Sequence, residues 1–436
     1  MQVSVENTGS LERKLTVSVP ADRLENQVRD RLRELSRSVR LKGFRPGKVP
    51  AKVIEQRYGQ QVRSEAMGEL IRESFSEAVE QQKLRPAMAP SIETSGQAAD
   101  GEFTYVATFE VMPEIGTIDV SAMDIVKPVA DVADSDIDEM IETLRVQRRS
   151  WNPVERAAAA GDLVMFESVA ETANGRVPKE GSERAGTIIG SNAIFTELEQ
   201  SLVGLSAGEE RTVEVSFPAE YRVAALAGQK ATINVKVVRV SEAQLPAVDD
   251  AFIASFGVSE GGMERFREEV RANLRRELRG ALMGRLKNDV VQKLVAAHAE
   301  LEFPARMIDA EARAMARQAE QQAVQQGRKD VKVSPDNFRD SARQRVAAAV
   351  LLGEIARQNG IKLDSARVAE TLAAIASTYE EPEQVVELYR NDPQLMNGLQ
   401  SRVIEDQVID WIADHAHRSD KTLSFAEVMR PAAAAG

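Results

Sequence analysis

Cysteine is absent from all 436 residues, which excludes disulfide scaffolds, thiol nucleophiles, iron–sulfur clusters and the usual structural zinc sites. No run of about 18 apolar residues occurs, so no transmembrane helix is expected. The first residues, MQVSVENTGSLERK, lack a basic segment followed by an apolar one, so no secretory signal is predicted. We therefore expect a protein of the cytoplasm.

Histidine is also scarce, with three residues in the chain. His298 stands alone, and His415 and His417 form an H-x-H pair near the C-terminus. Residues two apart on a helix point to different sides, and three histidines without cysteine make a poor zinc set. We expect no metal site and no cofactor.

Charge is distributed unevenly along the chain. The net charge is −12, but residues 1–60 carry 13 Lys/Arg against 7 Asp/Glu, a local +6 that leaves −18 on residues 61–436. A small basic module on a large acidic body predicts an anionic docking partner for the N-terminus alone. The acidic body argues against general nucleic-acid binding.

The chain is too long for one hydrophobic core, so several domains are expected. Residues 1–113 read as an α+β module: strands at 11–19 and 101–111 surround a helix that opens at Pro20 and helical stretches after Pro50. One face of the first helix is apolar. Its other face carries Arg29, Arg31, Arg33, Arg37 and Arg40.

In the rest of the chain, the spacing of apolar residues changes twice, from helical to alternating and back to helical. Residues 114–150 predict a connector with a helix from Asp134 to Arg149, and residues 151–245 predict a β-rich domain with strands at 162–170, 210–217 and 230–240. Residues 246–436 are predicted to be helical, with helices that open near Pro304, Pro335, Pro382 and Pro393 and end at Gly327 and Gly360. The predicted class is therefore α+β multidomain.

One loop does not fit the core of such a fold. LKGFRPGKVP, residues 41–50, places two glycines, two prolines and three cations around a single aromatic residue, Phe44. Glycine and proline predict an exposed loop, whereas phenylalanine normally lies in a core. Phe44 either folds back and pins the loop to its own domain or docks to a partner.

The order of these modules, together with GFRPGKVP, resembles the trigger factor family of ribosome-associated bacterial chaperones. AGEERTVEVSFPAEY (207–221), QLPAVDDAFIASFGV (244–258) and LLGEIARQNGI (351–361) are further local matches, and the resemblance spans essentially the whole chain. It implies an N-terminal α+β ribosome-binding domain, a small FKBP-like β-rich domain, and a long all-α C-terminal chaperone domain with helical arms.

The resemblance implies that residues 41–50 sit at the ribosomal exit tunnel, against a ribosomal protein and nearby ribosomal RNA. Phe44 would fill an apolar niche, Arg45 would pair with an acidic side chain or a phosphate, and Lys48 would add a long-range charge. The family's Phe-Arg-Lys is here Phe44-Arg45-Pro46, so one cation is missing and Lys42 or Lys48 would replace it.

For the middle domain, the resemblance implies an FKBP-type peptidyl-prolyl isomerase that needs no nucleophile, metal or cofactor. Its site residues would be Phe166, Phe195, Leu198, Phe217 and Tyr221. The family's Ile-Pro-Gly-Phe-Glu turn corresponds to residues 195–199, where the Pro-Gly is gone and Leu198 replaces the aromatic residue. These residues therefore form either a weakened isomerase pocket or merely the core of a small domain.

Four functions remain open on this sequence. The first is a cytoplasmic chaperone that docks on the ribosome, binds nascent and unfolded chains (including for export) and isomerises X–Pro bonds; the second is the same chaperone with an inactive middle domain. The missing signal argues against a secreted helper, and the acidic body against a nucleic-acid regulator. No DNA or membrane partner is expected, and a weak homodimer away from the ribosome stays open. Client contacts or ordinary core packing would both explain Met307, Met315 and Met396.

Overall fold

A computed structural model describes residues 1–39, 41, 44, 50–97, 102–218, 226–328, 331–379 and 381–430. The chain divides into two compact units. One contains Met1–Val129 with Met283–Lys421, and the other contains Ala130–Leu282 with Thr422–Gly436. None of the helices in these described residues is long and apolar enough to cross a membrane.

The first part of the chain is a four-stranded antiparallel sheet with two helices. Its elements are β1 (Gln2–Asn7), β2 (Glu12–Pro20), α1 (Ala21–Ser38), α2 (Ala51–Gln81), β3 (Ser91–Gln97) and β4 (Glu102–Glu110). The strand order is β1-β2-β4-β3. Both helices begin directly after a proline, as predicted, and alternate residues of β2 and β4 form a core with the two helices. The strands β1 and β3 were not predicted.

In the connector and the middle of the chain, the structure changes from helix to strands, as the spacing of apolar residues predicted. The elements are β5 (Asp124–Val129), α3 (Asp134–Gln147), β6 (Ser150–Val154), β7 (Leu163–Thr172), β8 (Gly175–Val177), β9 (Glu183–Ile188), α4 (Thr196–Leu202), β10 (Glu210–Ser216) and β11 (Lys230–Gln244). The helix predicted from Asp134 and the three predicted strands are confirmed.

The middle sheet is organised around its longest strand. β11 pairs antiparallel with β10 and β6 on one side and with β7 on the other, while β7 also pairs with β8 and β9. Alternate side chains of β7 and β11 point to one face, where α4 covers them. Gln244 at the end of β11 is the register partner of Ser150 at the start of β6. The chain therefore enters and leaves this sheet at adjacent positions.

Helices dominate the remainder of the chain. The elements are α5 (Asp250–Ala254), α6 (Gly262–Ala297), α7 (Ala305–Gln325), a short 3-10 helix (Pro335–Phe338), α8 (Arg339–Gln358), α9 (Ser365–Ala376), α10 (Pro382–Asn391), α11 (Pro393–His415), β12 (His417–Thr422) and α12 (Phe425–Met429). The predicted helix starts at the prolines and the predicted ends before Gly327 and Gly360 are confirmed. Both glycines have positive φ, +80° and +62°, which ends a helix without steric cost.

Within the first unit, the strand module and the later helices share contacts. The carboxylate of Glu110, at the end of β4, accepts hydrogen bonds from the backbone N–H groups of Ala305 (2.9 Å) and Arg306 (2.8 Å). A negative side chain at that position caps the first turn of α7 and complements its dipole. β12 pairs with β5, an association that the sequence analysis did not predict.

A buried carboxylate joins three segments of the same unit. Glu354 on α8 is 4% exposed and accepts hydrogen bonds from Arg357 Nε (3.0 Å), Arg85 Nη1 (3.2 Å) and Gln358 Nε2 (2.9 Å). The same Gln358 amide donates to the backbone oxygen of Gly116 in the connector. The hydrogen bond from Arg357, followed by those from the other donors, lowers the pKa of Glu354 from 4.5 to about 2.

Replacing Glu354 by glutamine is expected to lower the free energy of unfolding by about 2 to 3 kcal/mol at pH 7, because charge-assisted hydrogen bonds in a buried site are lost. A carboxylate with a lowered folded-state pKa stabilises the protein above its unfolded pKa, and this contribution disappears as the pH falls toward the folded value. The difference between Glu354→Gln and the wild type should therefore shrink between about pH 4.5 and about pH 2.

Urea unfolding at several pH values measures this difference. Glu77→Gln is the matched control, since Glu77 is also 2.8 Å from an arginine, Arg23, but is 46% exposed; we expect a change below about 1 kcal/mol. A Glu354→Gln difference that stays constant through the acid range would contradict the assignment.

Candidate functional site

A cavity of about 590 Å³ opens on the middle sheet, on the side covered by α4. β7, β9 and β11 form its floor, and the turn before α4 together with the first turn of that helix forms one wall. Its described lining is Phe166, Ser168, Ala170, Val177, Glu183, Ala185, Asn192, Ala193, Ile194, Phe195, Thr196, Glu197, Leu198, Phe217, Leu226 and Ile233. This volume and mainly apolar lining are typical of a small-ligand site.

The structure brings four of the five predicted pocket residues together on this cavity. Phe166 lies on β7, Phe195 directly precedes α4, Leu198 is on α4, and Phe217 follows β10. The fifth, Tyr221, lies outside the described residues.

Aromatic rings meet at the wall of the cavity. Phe195 and Phe217 have ring centroids 5.0 Å apart and planes at 88°, an edge-to-face pair that holds both rings in place. Phe195 is half-buried, whereas Phe166 is 2% exposed and packs against the strands. The cavity therefore combines a fixed aromatic floor with a more accessible ring at its side.

The turn that lacks the family's Pro-Gly pair keeps ordinary backbone geometry. Phe195 has φ −55° and ψ 135°, and Thr196 and Glu197 are the first residues of α4. Neither Thr196 nor Glu197 has a positive φ, so neither position needs glycine. The substitution changes the side chains at the wall without straining the chain.

The charges of the described lining have one sign. Glu183 and Glu197 are exposed at the rim, and no Lys, Arg or His is present in that lining. Asp162, which directly precedes β7, lies outside the lining and is bound to Arg156, with Nη2 to Oδ1 at 3.0 Å. The Arg156 guanidinium, followed by the backbone N–H of Ala159, holds the pKa of Asp162 below its usual range. The role of Asp162 is therefore structural.

Several lining residues were missed by the sequence analysis. Ser168 and Ala170 follow Phe166 at alternate positions of β7, so the two-residue period could have identified them. Ala185 and Ile233 face Phe166 and Ala170 across β9 and β11, and such cross-strand partners depend on register.

The loop at residues 41–50 connects α1 and α2. Its described residues are Leu41 and Phe44, and the Phe44 side chain is 40% exposed and part of no apolar cluster among the described residues. The predicted docking residues Lys42, Arg45 and Lys48 lie outside the described residues.

The basic face predicted for α1 carries less free charge than its sequence suggests. The two helices are antiparallel, since Arg23 bonds to Glu77 whereas Arg31, further along α1, bonds to Glu69. Arg33 pairs with Asp30 within α1, and Arg40 lies outside the described residues. Among the five predicted arginines, Arg29 and Arg37 are exposed and have no acidic partner in the described part of the chain. Uncompensated positive charge therefore lies both in the middle of α1, at Arg29, and at its end before the loop, at Arg37.

Each of the three histidines has a hydrogen-bond partner. Nδ1 of His298 and of His415 lies 2.8 Å from the backbone oxygen four residues earlier, and His417 Nδ1 lies 2.7 Å from Asp124 Oδ1. No group of three potential metal ligands was found among the described residues.

A second cavity lies in the first unit. It has a volume of about 1040 Å³, is formed largely by α6, α7 and α8, and is lined in part by Met88, Met307 and Met315. Met396 is not part of it and packs with Leu399 on α11. Two of the three methionines considered as client contacts therefore face open space.

Three family models match successive parts of the chain. Residues 1–144 match "Bacterial trigger factor protein (TF)", residues 154–238 match "FKBP-type peptidyl-prolyl cis-trans isomerase", and residues 262–414 match "Bacterial trigger factor protein (TF) C-terminus". The FKBP-type match contains Phe166, Phe195, Leu198 and Phe217, so the cavity lies within it.

Named relatives match the whole chain. Trigger factor of Xanthomonas axonopodis pv. citri is 53% identical over 433 residues, which cover 99% of this chain and 100% of the relative; trigger factor of Stenotrophomonas maltophilia is 50% identical over the same lengths. A solved structure of a trigger factor chaperone aligns over 95% of this chain and 99% of its own at 18% identity with a TM-score of 0.41. On the strength of the sequence relatives, the chain belongs to the trigger factor family of bacterial chaperones and carries an FKBP-type domain in its middle.

Proposed function

We propose that this chaperone binds nascent and unfolded chains at the ribosomal exit tunnel and catalyses cis–trans isomerisation of their X–Pro bonds in the cavity of the middle sheet. The observation that carries the catalytic part is the convergence of Phe166, Phe195, Leu198 and Phe217 on one apolar cavity. Family membership supports ribosome binding and unfolded chains as substrates.

The cavity suits a reaction that needs no nucleophile. Rotation about an X–Pro bond crosses a barrier of about 18–20 kcal/mol and takes tens to hundreds of seconds without a catalyst. Apolar walls remove water from the imide and weaken its resonance, and they can grip a twisted bond more tightly than either planar form. The lack of Lys, Arg and His in the described lining therefore costs this mechanism nothing.

A second candidate is the same chaperone with an inactive middle domain. The observation that favours it is Leu198, which is 8% exposed where the family has an aromatic residue, so part of its surface serves the core. Leu198 also lines the cavity, and Phe195 supplies an aromatic side chain to the same wall. These contacts favour a working pocket.

For docking, we propose Phe44, Arg45, Lys48 and Lys42 as the contact residues, against a ribosomal protein and nearby ribosomal RNA. The exposure of Phe44 supports the docking alternative over a ring folded back on its own domain. An aromatic anchor with a cationic rim is a compact hot-spot arrangement. The uncompensated Arg37 at the end of α1 adds positive charge beside the loop.

For clients, we propose the methionine-lined cavity of the first unit as one contact surface, since methionine adapts to varied shapes. We propose that the protein acts in the cytoplasm. We also propose that it forms a weak homodimer away from the ribosome. The proposed domains are residues 1–113, the connector 114–150, residues 151–245 and residues 246–436.

Deleting residues 151–245 tests the proposal. The deletion is geometrically reasonable because Ser150 and Gln244 are register partners, so the cut ends lie side by side. We expect the full-length chain to accelerate refolding of a protein limited by proline isomerisation and to accelerate isomerisation of a short proline peptide. The deleted chain should lose both effects and still suppress aggregation. If the full-length chain accelerates neither reaction but suppresses aggregation, the middle domain is inactive.

A further inference from the structure

Glu199 is a buried carboxyl group without a cation beside it. It lies on α4, is 5% exposed, and its Oε1 accepts hydrogen bonds from Thr187 Oγ1 (3.4 Å) and Ser191 Oγ (3.3 Å). It forms no ion pair with any residue that the structure describes. Burying a carboxyl group without a counter-charge is costly, so its position needs a reason other than packing.

The two donors come from different segments. Thr187 is on β9, where it pairs with Val164, and Ser191 is in the turn that follows. The Ser191 hydroxyl oxygen also accepts a hydrogen bond from the backbone N–H of Ala193 at 3.4 Å. Glu199 therefore ties α4 both to the sheet and to the turn between β9 and α4.

That turn is part of the cavity wall. Seven consecutive residues, Asn192 to Leu198, line the cavity. Asn192 has a φ of +53°, a left-handed conformation that asparagine adopts more readily than most residues other than glycine. Contacts of its two neighbours hold it in place, since Ser191 donates to Glu199 and accepts a hydrogen bond from the backbone N–H of Ala193.

We infer that Glu199 is a positioning residue for X–Pro isomerisation, which keeps the wall from Asn192 to Leu198 in the shape that grips a twisted bond. This inference rests on the proposed isomerase function. A planar X–Pro bond binds to an adaptable wall almost as well as to a fixed one, whereas the twisted transition state gains from a wall that is already in place.

Glu199→Ala should lower kcat on a short proline peptide at least about tenfold while KM changes less than about threefold, because only transition-state binding depends on the preformed wall. Thr187→Val combined with Ser191→Ala should reproduce this loss, since it removes both donors. Both bonds end on Oε1, so a glutamine carbonyl can accept them. Glu199→Gln should therefore remain within about threefold of the wild type.

Glu167→Gln is the matched control. Glu167 is on β7 and accepts hydrogen bonds from Ser182 (3.0 Å) and Arg184 (2.7 Å), on the face of the sheet opposite to Phe166. Its loss should leave kcat unchanged. Amide hydrogen exchange of Ala193 is the second measurement, and Glu199→Ala should accelerate it without altering exchange in β7.

The inference is overturned if folded Glu199→Ala keeps the wild-type kcat, or if Glu199→Gln is as impaired as Glu199→Ala. If the wild type does not isomerise the peptide, the proposed function fails instead. Hydrogen exchange then still decides the structural part: unchanged exchange of Ala193 in Glu199→Ala overturns it, and faster exchange supports it.

Discussion

Replacing Phe44 and Arg45 together by alanine is expected to weaken binding to ribosomes at least about 30-fold, so that the chain no longer co-sediments with them. The Phe44 ring is 40% exposed, an unusual state for phenylalanine that a partner surface would remove. Truncating a buried aromatic anchor commonly costs about 2 kcal/mol or more, and loss of the adjacent cation adds to it. Pelleting through a sucrose cushion measures the effect.

Arg31→Gln is the control for this experiment. Arg31 is on α1, the helix that leads into the loop, but its guanidinium already pairs with Glu69 on α2. Its removal should leave ribosome binding within about threefold, because surface ion pairs contribute little. The docking proposal fails if the double variant pellets as well as the wild type, or if Arg31→Gln is equally damaging.

Replacing Phe195 by alanine is expected to lower kcat/KM for a proline peptide at least about 20-fold. Phe195 contributes the half-buried ring of the cavity wall and forms the edge-to-face pair with Phe217 at 5.0 Å. Without it, water reaches the imide and Phe217 loses this edge-to-face contact. Ribosome binding should not change, because the loop at 41–50 belongs to the other unit.

Trp151→Ala provides the comparison. Trp151 is a large aromatic residue of the same sheet, on β6, but it lies outside the described cavity lining and beneath the Arg149 guanidinium at 4.9 Å. A drop in kcat/KM for Phe195→Ala with near wild-type activity for Trp151→Ala would assign the loss to the pocket. Equal losses would mean that general destabilisation of the sheet accounts for both.

Local rules were sufficient for many element boundaries. Prolines at 20, 50, 304, 382 and 393 mark helix starts because the missing N–H is harmless there. The alternating period of residues 162–170 and 230–240 indicated strands whose inner side chains are apolar, and the structure has them at Leu163–Thr172 and Lys230–Gln244. Each of these signals acts within a few residues, so a single sequence carries it in full.

Contacts between residues that are far apart in the sequence left no such local signal. β12, with the sequence HRSDKT, is exposed at every position, so it has no apolar period, and it forms only by pairing with β5. Likewise, Arg31 could be predicted to lie on a polar face, but its neutralisation by Glu69 depends on how α1 packs against α2. The sequence therefore overestimated the free positive charge of the hairpin.

The same contrast between local signals and long-range pairings applies to the candidate cavity. Phe166 and Phe195 could be selected because the resemblance aligns them with known motif positions, and their convergence then depended on the sheet register. Glu199, on α4, could not be selected as a support for the wall, because no local pattern links it to Thr187 on β9. Residues that hold a site in place are identified by three-dimensional contacts.

The apolar cluster around the connector can form only late in the synthesis of the chain. Ile118 and Ile125 pack with Leu286, Leu351 and other helical residues that are all synthesised after residues 130–282. At about 5–20 residues per second, the earliest of these partners is added on the order of ten seconds after Ile125. Until then the connector's apolar side chains lack their cover. During its own translation, this chain is therefore an incompletely folded polypeptide of the kind that it is proposed to bind.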